Sequence, residues 1–383
     1  MATIPSIAMI PSGVKASKLY SVLPTDGTGD FTTTRASVAT RVNENGLIEE
    51  VASNVPRLDY SDGGCPSLLL ENSATNLIAY SESFSNWSQD GTTTLDNNII
   101  SPDGTLNASK ITFNSGNERV FTSVNTTNGS FSAYFKGVQG KKVRFRDDSS
   151  TIFNEITLTE NWVRHYLYKG TANANIQIQN VDATDVYVWG AQAEENSYAT
   201  SYIKNAGTAL GVTRVADTAT SSGSSTVINS TEGVLYAQIG SLIGDESVGQ
   251  LSISDGTNNE AVKILYLNAN EVRLEMKTAS GENFVKDITV TRDGTFDKVA
   301  IRYKSNDYAV YHNGIAQTVV QRADVSSGLN VLAFNQGGAS SPFNGKVKSL
   351  QVYTTALSGI EIEKLTSYTS FNAMANALNY TII

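Results

Sequence analysis

Short segments in which apolar and polar residues alternate fill most of this chain, and Gly, Asn or Asp bounds each of them. Because successive side chains of a β-strand point to opposite faces, such alternation is typical of strands buried on one side. A first series includes GSFSAYFKG, KKVRFRD, WVRHYLYKG and DVYVWGAQ, and a second includes GVLYAQIGS, AVKILYLNANEVRLEMKT and NGKVKSLQVYTTAL. The regular spacing of these segments predicts two β-sandwich domains.

Composition agrees with this division. The 383 residues are 40 % hydrophobic, which suffices for sizeable cores, and only 17 % are charged. We therefore predict an all-β protein with two β-sandwich (jelly-roll) domains after an extended N-terminal arm. The predicted parts are an arm over 1–75, a first sandwich over 76–212, a Ser/Thr-rich linker over 213–230, a second sandwich over 231–368 and a tail over 369–383.

Three local signals lie in the second sandwich. The NAN of LYLNANEVRLEM and the pair Asn313-Gly314 each separate two strand patterns, and Asn and Gly accept the positive φ that tight hairpins need. Ser358 stands where an N-cap belongs, and Glu361 follows three residues later. This spacing predicts two hairpins and a short helix that begins with a capping box.

Charge and length exclude several classes of partner. The formal charge of −9 is spread along the chain and disfavours binding to nucleic acid. No apolar run approaches the roughly 20 residues that span a bilayer, and the N-terminus lacks the pattern of a secretory signal. Cys65 is the only cysteine, so an intrachain disulfide is excluded. We expect no membrane insertion and synthesis in a cytoplasm.

Catalytic residues are not predicted anywhere in the chain. A glucanase needs two carboxylates about 5 Å apart, and the nearest approach is Glu271 and Glu275, which flank Arg273 on one strand face. Cross-strand ion pairs on a solvated face explain these residues better. His165 and His312 are the only histidines and lie in different sandwiches, which disfavours a zinc site or a catalytic triad.

No cofactor is predicted, with one alternative left open. Asp26 and Asp30 in DGTGD, and Asp255 in SDGTNNE, have oxygens suited to a structural calcium. Asp-Gly is also common turn chemistry, so either interpretation fits these residues.

Sugar binding would use exposed aromatic rings backed by polar side chains. The large candidates are Trp87 and Trp189, although core packing is the alternative for each tryptophan, and Trp189 shares a strand face with Tyr187 opposite two valines. In the second sandwich we select a hairpin tip and the start of a loop, because loops at sandwich ends are exposed. The residues selected there are Tyr311, His312, Asn313, Phe334 and Asn335.

The end of the second series resembles a known family. The strand, the Y-x-x-A-L-S motif and the capped helix in FNGKVKSLQVYTTALSGIEIEKLTS, together with the hairpin AVYHNGIAQ, resemble concanavalin A-like, laminin-G-type jelly-roll domains. This resemblance covers residues 231–368.

The front of the chain resembles a second family. DFTTTRASVATRVNENGLIEEVASNVPRLDY and CPSLLLENSATNLIAYSESFSNW resemble the leader of bacteriophage tail-fibre and virion-appendage proteins, over residues 30–87. VYVWGAQAEENSYATSYI and TRVADTAT are similar to the closing strand and exit of the carbohydrate-binding-module-like sandwich that follows this leader.

This second resemblance implies a virion protein whose arm binds other virion proteins and whose sandwiches bind host-surface glycan. The implied function is that of a non-catalytic tail fibre or receptor-binding protein. A head fibre or capsid decoration protein with an adhesive or stabilising role is the alternative, and a glycan-degrading enzyme is a third.

Fibre-like attachment proteins gain from multivalency, so we expect a homotrimer. Two apolar segments would support it, and packing of the tail on its own domain is the alternative. Their residues are Ile4, Ile7, Ile10 and Leu19 in the arm and Phe371, Met374, Leu378, Ile382 and Ile383 in the tail.

Overall fold

The computed structural model describes residues 3–127, 129–148, 153–169, 172–281, 283–338 and 340–368. Its strands are numbered in chain order. The first eleven are β1 (Ile7–Met9), β2 (Val14–Lys15), β3 (Lys18–Leu19), β4 (Phe31–Thr34), β5 (Ala39–Val42), β6 (Ile48–Val51), β7 (Arg57–Asp59), β8 (Ser67–Leu70), β9 (Ala74–Asn76), β10 (Ser88–Asp90) and β11 (Thr92–Ile99), with a 3-10 helix at Phe84–Asn86. The next ten are β12 (Ala108–Phe113), β13 (Arg119–Thr126), β14 (Gly129–Gly137), β15 (Lys142–Arg146), β16 (Phe153–Thr157), β17 (Val163–Lys169), β18 (Ala172–Asn180), β19 (Asp185–Glu194), β20 (Val212–Arg214) and β21 (Thr218–Thr220). The last are β22 (Glu232–Gly240), β23 (Gly249–Ser254), β24 (Ala261–Asn268), β25 (Glu271–Lys277), β26 (Phe284–Thr289), β27 (Phe296–Lys304), β28 (Ala309–His312), β29 (Ile315–Gln317), β30 (Val331–Ala333) and β31 (Gly345–Tyr353), followed by helix α1 (Gly359–Ser367).

The chain forms two compact units that alternate along the sequence. Unit 1 takes the described parts of Met1–Ala36, Ser53–Asn72 and Ala216–Ile383. Unit 2 takes Ser37–Ala52 and the described parts of Ser73–Val215. The prediction of an all-β fold is confirmed, since the paired strands of the described residues are antiparallel and α1 is the one α-helix among those residues.

Unit 1 is a sandwich of two large sheets. One sheet has the order β29-β28-β27-β22-β31-β8-β7, with β1 also paired to β31, and the other has the order β26-β25-β24-β23-β30. The alternating apolar residues of both sheets meet in one core, to which β22 contributes Leu235, Ala237 and Ile239. A smaller sheet, β2-β3-β4-β21, belongs to the same unit.

The described part of residues 3–75 does not form the separate extended arm that the sequence predicts. Strand β1 pairs with β31, with Ile7 opposite Val352. Ile7 and Leu19, which we expected to support a trimer, are buried in the core of unit 1, whereas Ile4 is 64 % exposed. The apolar residues of this segment had too little local alternation to be recognised as strands. The trimer itself stays a prediction, and the tail residues assigned to it lie outside the described part of the chain.

The Ser/Thr-rich stretch predicted as a linker over 213–230 is also part of the fold. Strand β21 pairs with β4, and β20 pairs with β9. Ala219 and Ile228 are fully or almost fully buried in the core of unit 1. The sequence does not reveal this role because the stretch consists mainly of small polar residues. The few apolar side chains that it has are enough to anchor its short strands.

The local predictions in unit 1 are confirmed. Strands β24 and β25 form the hairpin expected at NAN, and β28 and β29 form the one at Asn313-Gly314, whose φ angles are 48° and 84°. Ser358 caps α1 by accepting from the backbone N–H of Glu361, and the Glu361 carboxylate accepts from the backbone N–H of Ser358 at 2.8 Å. Helix α1 packs Ile362 and Leu365 against the outer side of the large sheet.

Four buried charged side chains in unit 1 form an ion network. Arg35 pairs with Asp217 at 2.8 Å, and Arg57 pairs with both Glu71 and Asp217. Each lies in a segment that resembles the phage leader or the exit that follows it: TTTRAS, VPRLDY, LLLENS and TRVADT. Those motif residues are therefore explained by burial inside unit 1.

Unit 2 is a second sandwich. Its sheets have the orders β10-β13-β18-β15-β16 and β11-β12-β19-β14-β17, and their inward side chains form one core. The hairpin β5-β6, which holds the ATRVN part of the leader motif, packs Ile48 with Trp189 and Tyr202 outside that core. Thr40 of the hairpin donates its hydroxyl hydrogen to the carbonyl of Tyr202 at 2.6 Å. No helix among the described residues is long and apolar enough to cross a membrane.

Candidate functional site

The sheet β10-β13-β18-β15-β16 of unit 2 has one face in the core and one face outside it. Val120, Val143, Ile156 and Ile178 are buried in the core of the unit. Because side chains alternate along a strand, their neighbours in sequence lie on the outer side. We call this outer side the polar face, and its main residues are Arg119, Phe121, Arg144, Arg146, Phe153, Glu155, Gln177 and Gln179.

One cross-strand row of the polar face has an aromatic ring at each end. Phe121 of β13 lies opposite Gln177 of β18, Gln177 opposite Arg146 of β15, and Arg146 opposite Phe153 of β16. With strands about 4.8 Å apart, three steps place the backbones of the two phenylalanines roughly 14 Å from each other. Phe153 is 46 % exposed. The row therefore has two rings separated by an amide and a guanidinium.

The two central arginines cross over the middle strand. Arg119 lies opposite Gln179 but donates from Nη1 to Oε1 of Gln177, at 3.2 Å. Arg146 lies opposite Gln177 but donates from Nη1 to Oε1 of Gln179, at 3.0 Å. Gln177 is only 1 % exposed, so the two amides form the floor of the face and hold a guanidinium from each side.

Each aromatic ring of the row also contacts an arginine side chain. The guanidinium carbon of Arg119 lies 5.2 Å from the ring centre of Phe121, and that of Arg144 lies 5.5 Å from that of Phe153. Arg144 also donates to Glu155 at 3.4 Å. Such contacts reduce the rotamers open to each side chain, which lowers the cost of ordering it when a ligand binds.

Acceptors lie at one end of the face. Asp148 accepts from the backbone N–H of Asn175 at 2.9 Å and from the amide nitrogen of Gln177. Ser123 donates to the side-chain carbonyl of Asn175 at 2.6 Å. Donors, acceptors and ring faces on one surface are the groups that bind sugar hydroxyls and sugar rings.

The carboxylate of Glu155 does not suit acid catalysis. Its hydrogen bond from Lys142, at 2.9 Å, and the charge of that lysine lower the pKa of Glu155. A glycosidase acid needs a raised pKa so that it keeps its proton near neutral pH. Glu155 therefore lacks the raised pKa that an acid catalyst on this face would need.

The tryptophans selected from the sequence are core residues. Trp87 is 4 % exposed, and its ring centre lies 4.7 Å from that of Phe84, with the two rings tilted. Its indole N–H donates to the carbonyl of Tyr80. Trp189 is 1 % exposed, and its ring centre lies 4.4 Å from that of Tyr202. Neither ring offers a face to a ligand, which favours the packing alternative for both. The hairpin β5-β6 covers the side of β19 that alternation alone left undecided.

The residues selected in the second sandwich differ in how accessible they are to solvent. Phe334 is buried, with its ring centre 5.1 Å from that of Phe31, and Asn335 is also buried. The start of that loop therefore belongs to the interior. Phe334 therefore has no exposed ring with which to stack on a sugar.

The hairpin residues remain partly accessible. Tyr311 packs against the cluster around α1. His312 lies 2.7 Å from Asp297 through Nε2, and Asn313 donates to the same carboxylate oxygen at 3.2 Å. These contacts fix the hairpin, and a binding role for its three residues stays a prediction.

Other chemistry considered in the sequence is explained by local contacts. Arg273 donates to both carboxylate oxygens of Asp287, at 2.7 and 2.9 Å, as expected for a cross-strand ion pair. Burial against the ring of Phe135 lowers the pKa of His165. Asp26 and Asp255 accept from the backbone N–H groups two residues ahead, which is turn chemistry. No cluster of three or more His, Cys, Asp or Glu that could hold a metal occurs among the described residues.

Comparison with known proteins supports the fold of unit 1. Residues 243–363 match the family model of the concanavalin A-like lectin/glucanases superfamily, about a third of the 383-residue chain. Unit 1 therefore contains a concanavalin A-like jelly-roll sandwich, as the resemblance of its C-terminal motifs implies. No curated protein matches the chain.

Three solved structures are similar to part of the chain at low identity. The CBM40 domain of Ruminococcus gnavus IT-sialidase bound to α2,3-sialyllactose has 22 % identity and a TM-score of 0.32, covering 37 % of this chain and 86 % of that one. A heptameric SAP-like pentraxin from Limulus polyphemus has 14 % identity and a TM-score of 0.31, with coverages of 37 % and 72 %. Domain 4 of AbnA, a GH43 extracellular arabinanase from Geobacillus stearothermophilus, in complex with arabinotriose, has 12 % identity and a TM-score of 0.31, with coverages of 39 % and 73 %.

Proposed function

We propose that this chain is a non-catalytic glycan-binding protein and that the polar face of unit 2 is one of its binding surfaces. The row Phe121–Gln177–Arg146–Phe153 carries this proposal, because two rings at the ends of one row can stack on separate sugar units while the amide and guanidinium between them bind hydroxyls. The lectin-type superfamily match in unit 1 supports the same class of ligand.

The biological setting is part of the proposal. The leader motif and the order of the sandwiches resemble virion appendages, so the chain acts as a bacteriophage tail fibre or receptor-binding protein that contacts host-surface glycan. A head fibre or capsid decoration protein is the second candidate, favoured by the burial of the leader motifs, which leaves those motif residues less free to bind another virion protein. Immunogold labelling of particles with an antibody against this chain distinguishes tail from head.

A glycan array probed with the full chain tests the binding function. Phe153→Ala should weaken binding to any glycan found by about tenfold, because truncating an aromatic hot spot typically costs more than 1 kcal/mol. Tyr20→Ala is the matched control, since Tyr20 is an exposed aromatic residue of unit 1. Absence of binding to every glycan on the array, or equal loss in both variants, would contradict the proposal for this face. Release of reducing sugar from a bound polysaccharide would contradict the absence of catalysis.

A further inference from the structure

The polar face has a local charge opposite to that of the chain. The whole sequence has 28 Lys and Arg against 37 Asp and Glu. On the described outward strand positions of this sheet, four cations stand with two carboxylates. The cations are Arg119, Lys142, Arg144 and Arg146, and the carboxylates are Asp90 and Glu155. Asp148, which follows β15 and accepts from Gln177, adds a third carboxylate to the face, so the four cations still exceed the carboxylates by one. A basic surface on an acidic protein indicates an acidic ligand.

The two strand carboxylates lie at the two margins of the face, and Asp148 lies at one end of it. Glu155 on β16 accepts from Lys142 at 2.9 Å and from Arg144 at 3.4 Å. Asp90 on β10 contacts Nε of Arg119 at 3.3 Å, and the two side chains are 63 % and 38 % exposed. Such an exposed pair contributes little free energy, so a ligand carboxylate can replace it at small cost.

The centre of the face presents guanidinium groups held by neutral amides. The carbonyl oxygens of Gln177 and Gln179 accept from Arg119 and Arg146 and fix both guanidinium groups in place. Guanidinium offers five N–H donors in a planar fork that matches a carboxylate. Two such groups aimed at one strand from opposite sides are arranged to bind an anion between two aromatic rings.

We infer that the polar face binds sugars that carry a carboxylate group and discriminates against their neutral counterparts. This inference rests on the proposed glycan-binding function and assigns its ligand class. Arg119 and Arg146 bind the carboxylate, and the rings of Phe121 and Phe153 stack on the sugar units beside it. The ligand is an acidic polysaccharide or an acidic sugar chain on a cell surface.

Matched pairs of polymers test the inference with the full chain. Polygalacturonate, alginate and polysialic acid are each compared with their methyl-esterified form by equilibrium binding at fixed salt. At least one acid should bind ten times more tightly than its ester, and the difference should shrink as NaCl is raised because salt screens the ion pairs. Polyglutamate, which has carboxylates without sugar, should bind no better than the esters.

Variants place the effect on the polar face. Arg119→Ala should remove at least ninety per cent of the preference for the acid, and Arg119→Lys should retain part of it because the charge remains while the fork is lost. Arg273→Ala, which removes one positive charge from unit 1, should leave the preference unchanged. Thermal melting of each variant separates lost binding from lost folding. If the alanine variant is unfolded, the binding test is made with Arg119→Lys instead.

The outcomes distinguish this inference from the function on which it rests. Equal binding to acids and esters overturns the acidic preference and leaves glycan binding intact. Equal binding to polyglutamate, or an equal effect of Arg273→Ala, also overturns the assignment to this face. Absence of binding to all six polymers and to every array glycan overturns the proposed function and the inference with it.

Discussion

Arg35 and Asp217 lie 182 positions apart in the chain, and their side chains form an ion pair of 2.8 Å inside unit 1. Asp217 is shared with Arg57, which also pairs with Glu71. Burial opposes the charge of Arg57, but the carboxylates of Asp217 and Glu71 outweigh it and raise the pKa of the guanidinium. Arg57 therefore stays charged, and the network fixes segments that are distant in sequence.

Removing one member of this network should be costly. Arg57→Met should lower the free energy of unfolding by about 3–5 kcal/mol, because it leaves buried carboxylates without one of their cations. Arg273→Met, which breaks an exposed ion pair, should cost at most about 1 kcal/mol. Urea unfolding at pH 7 measures both, and similar losses in the two variants would contradict the role of burial.

The first strand should stabilise unit 1. Ile7→Ala should cost about 2–5 kcal/mol because it empties a site in the core. Ile4→Ala, three positions earlier and 64 % exposed, should change stability by less than about 0.5 kcal/mol. Deleting residues 1–75 should likewise destabilise unit 1, and a truncated chain that melts like the full one would show that β1 is dispensable.

Helix α1 depends on its capping box. Ser358→Ala should lower stability by about 1 kcal/mol, because a helix N–H loses its acceptor. Ser12→Ala, at an exposed serine outside any helix, is the control and should have little effect. The prediction fails if thermal melting does not distinguish the two variants.

The structure shows why some features could be predicted from sequence and others could not. The capping box and the Asn313-Gly314 turn depend on residues within four positions of each other, so the local pattern suffices. Strand β1 pairs with β31, which no local pattern near Ile7 reveals. Alternation placed Trp189 on one of two faces, but the face that is covered depends on the distant hairpin β5-β6.

The candidate site escaped prediction for a related reason. Its row joins residues from β13, β18, β15 and β16, an order that differs from the order of the chain. The segments VRFR and IQIQ alternate in the sequence, but only the strand order brings their arginine and glutamine side chains together. Aromatic content drew attention to tryptophan, whereas the exposed ring in the row is Phe153.

Glu194 should make the stability of unit 2 depend on pH. Burial raises the pKa of this carboxyl, although Thr200 and Gln192 donate hydrogen bonds to it. A carboxyl whose pKa is higher in the folded state contributes stability below its unfolded value of about 4.3 and loses it as the pH rises through the folded value. Glu194→Gln, whose amide stays neutral, should therefore gain stability relative to the native chain between pH 4 and pH 7.

A carboxyl with the opposite shift provides the control for this experiment. Lys142 lowers the pKa of Glu155, so Glu155 contributes stability above its unfolded value and loses it as the pH falls. Glu155→Gln should lose stability relative to the native chain over the same rise in pH. Urea midpoints at four pH values measure both variants, and a pH-independent difference for Glu194→Gln would contradict the prediction.

Because the two units alternate along the chain, they are completed at different times during translation. Every segment of unit 2 has been made once residue 215 leaves the ribosome, whereas Ile7 must wait for Val352. At about 5–20 residues per second, this wait is on the order of tens of seconds. During that time the nascent chain exposes Ile7, Met9 and Phe31, which are buried in the finished molecule. Chaperone occupancy and ribosome speed therefore bear on the yield of unit 1 far more than on that of unit 2.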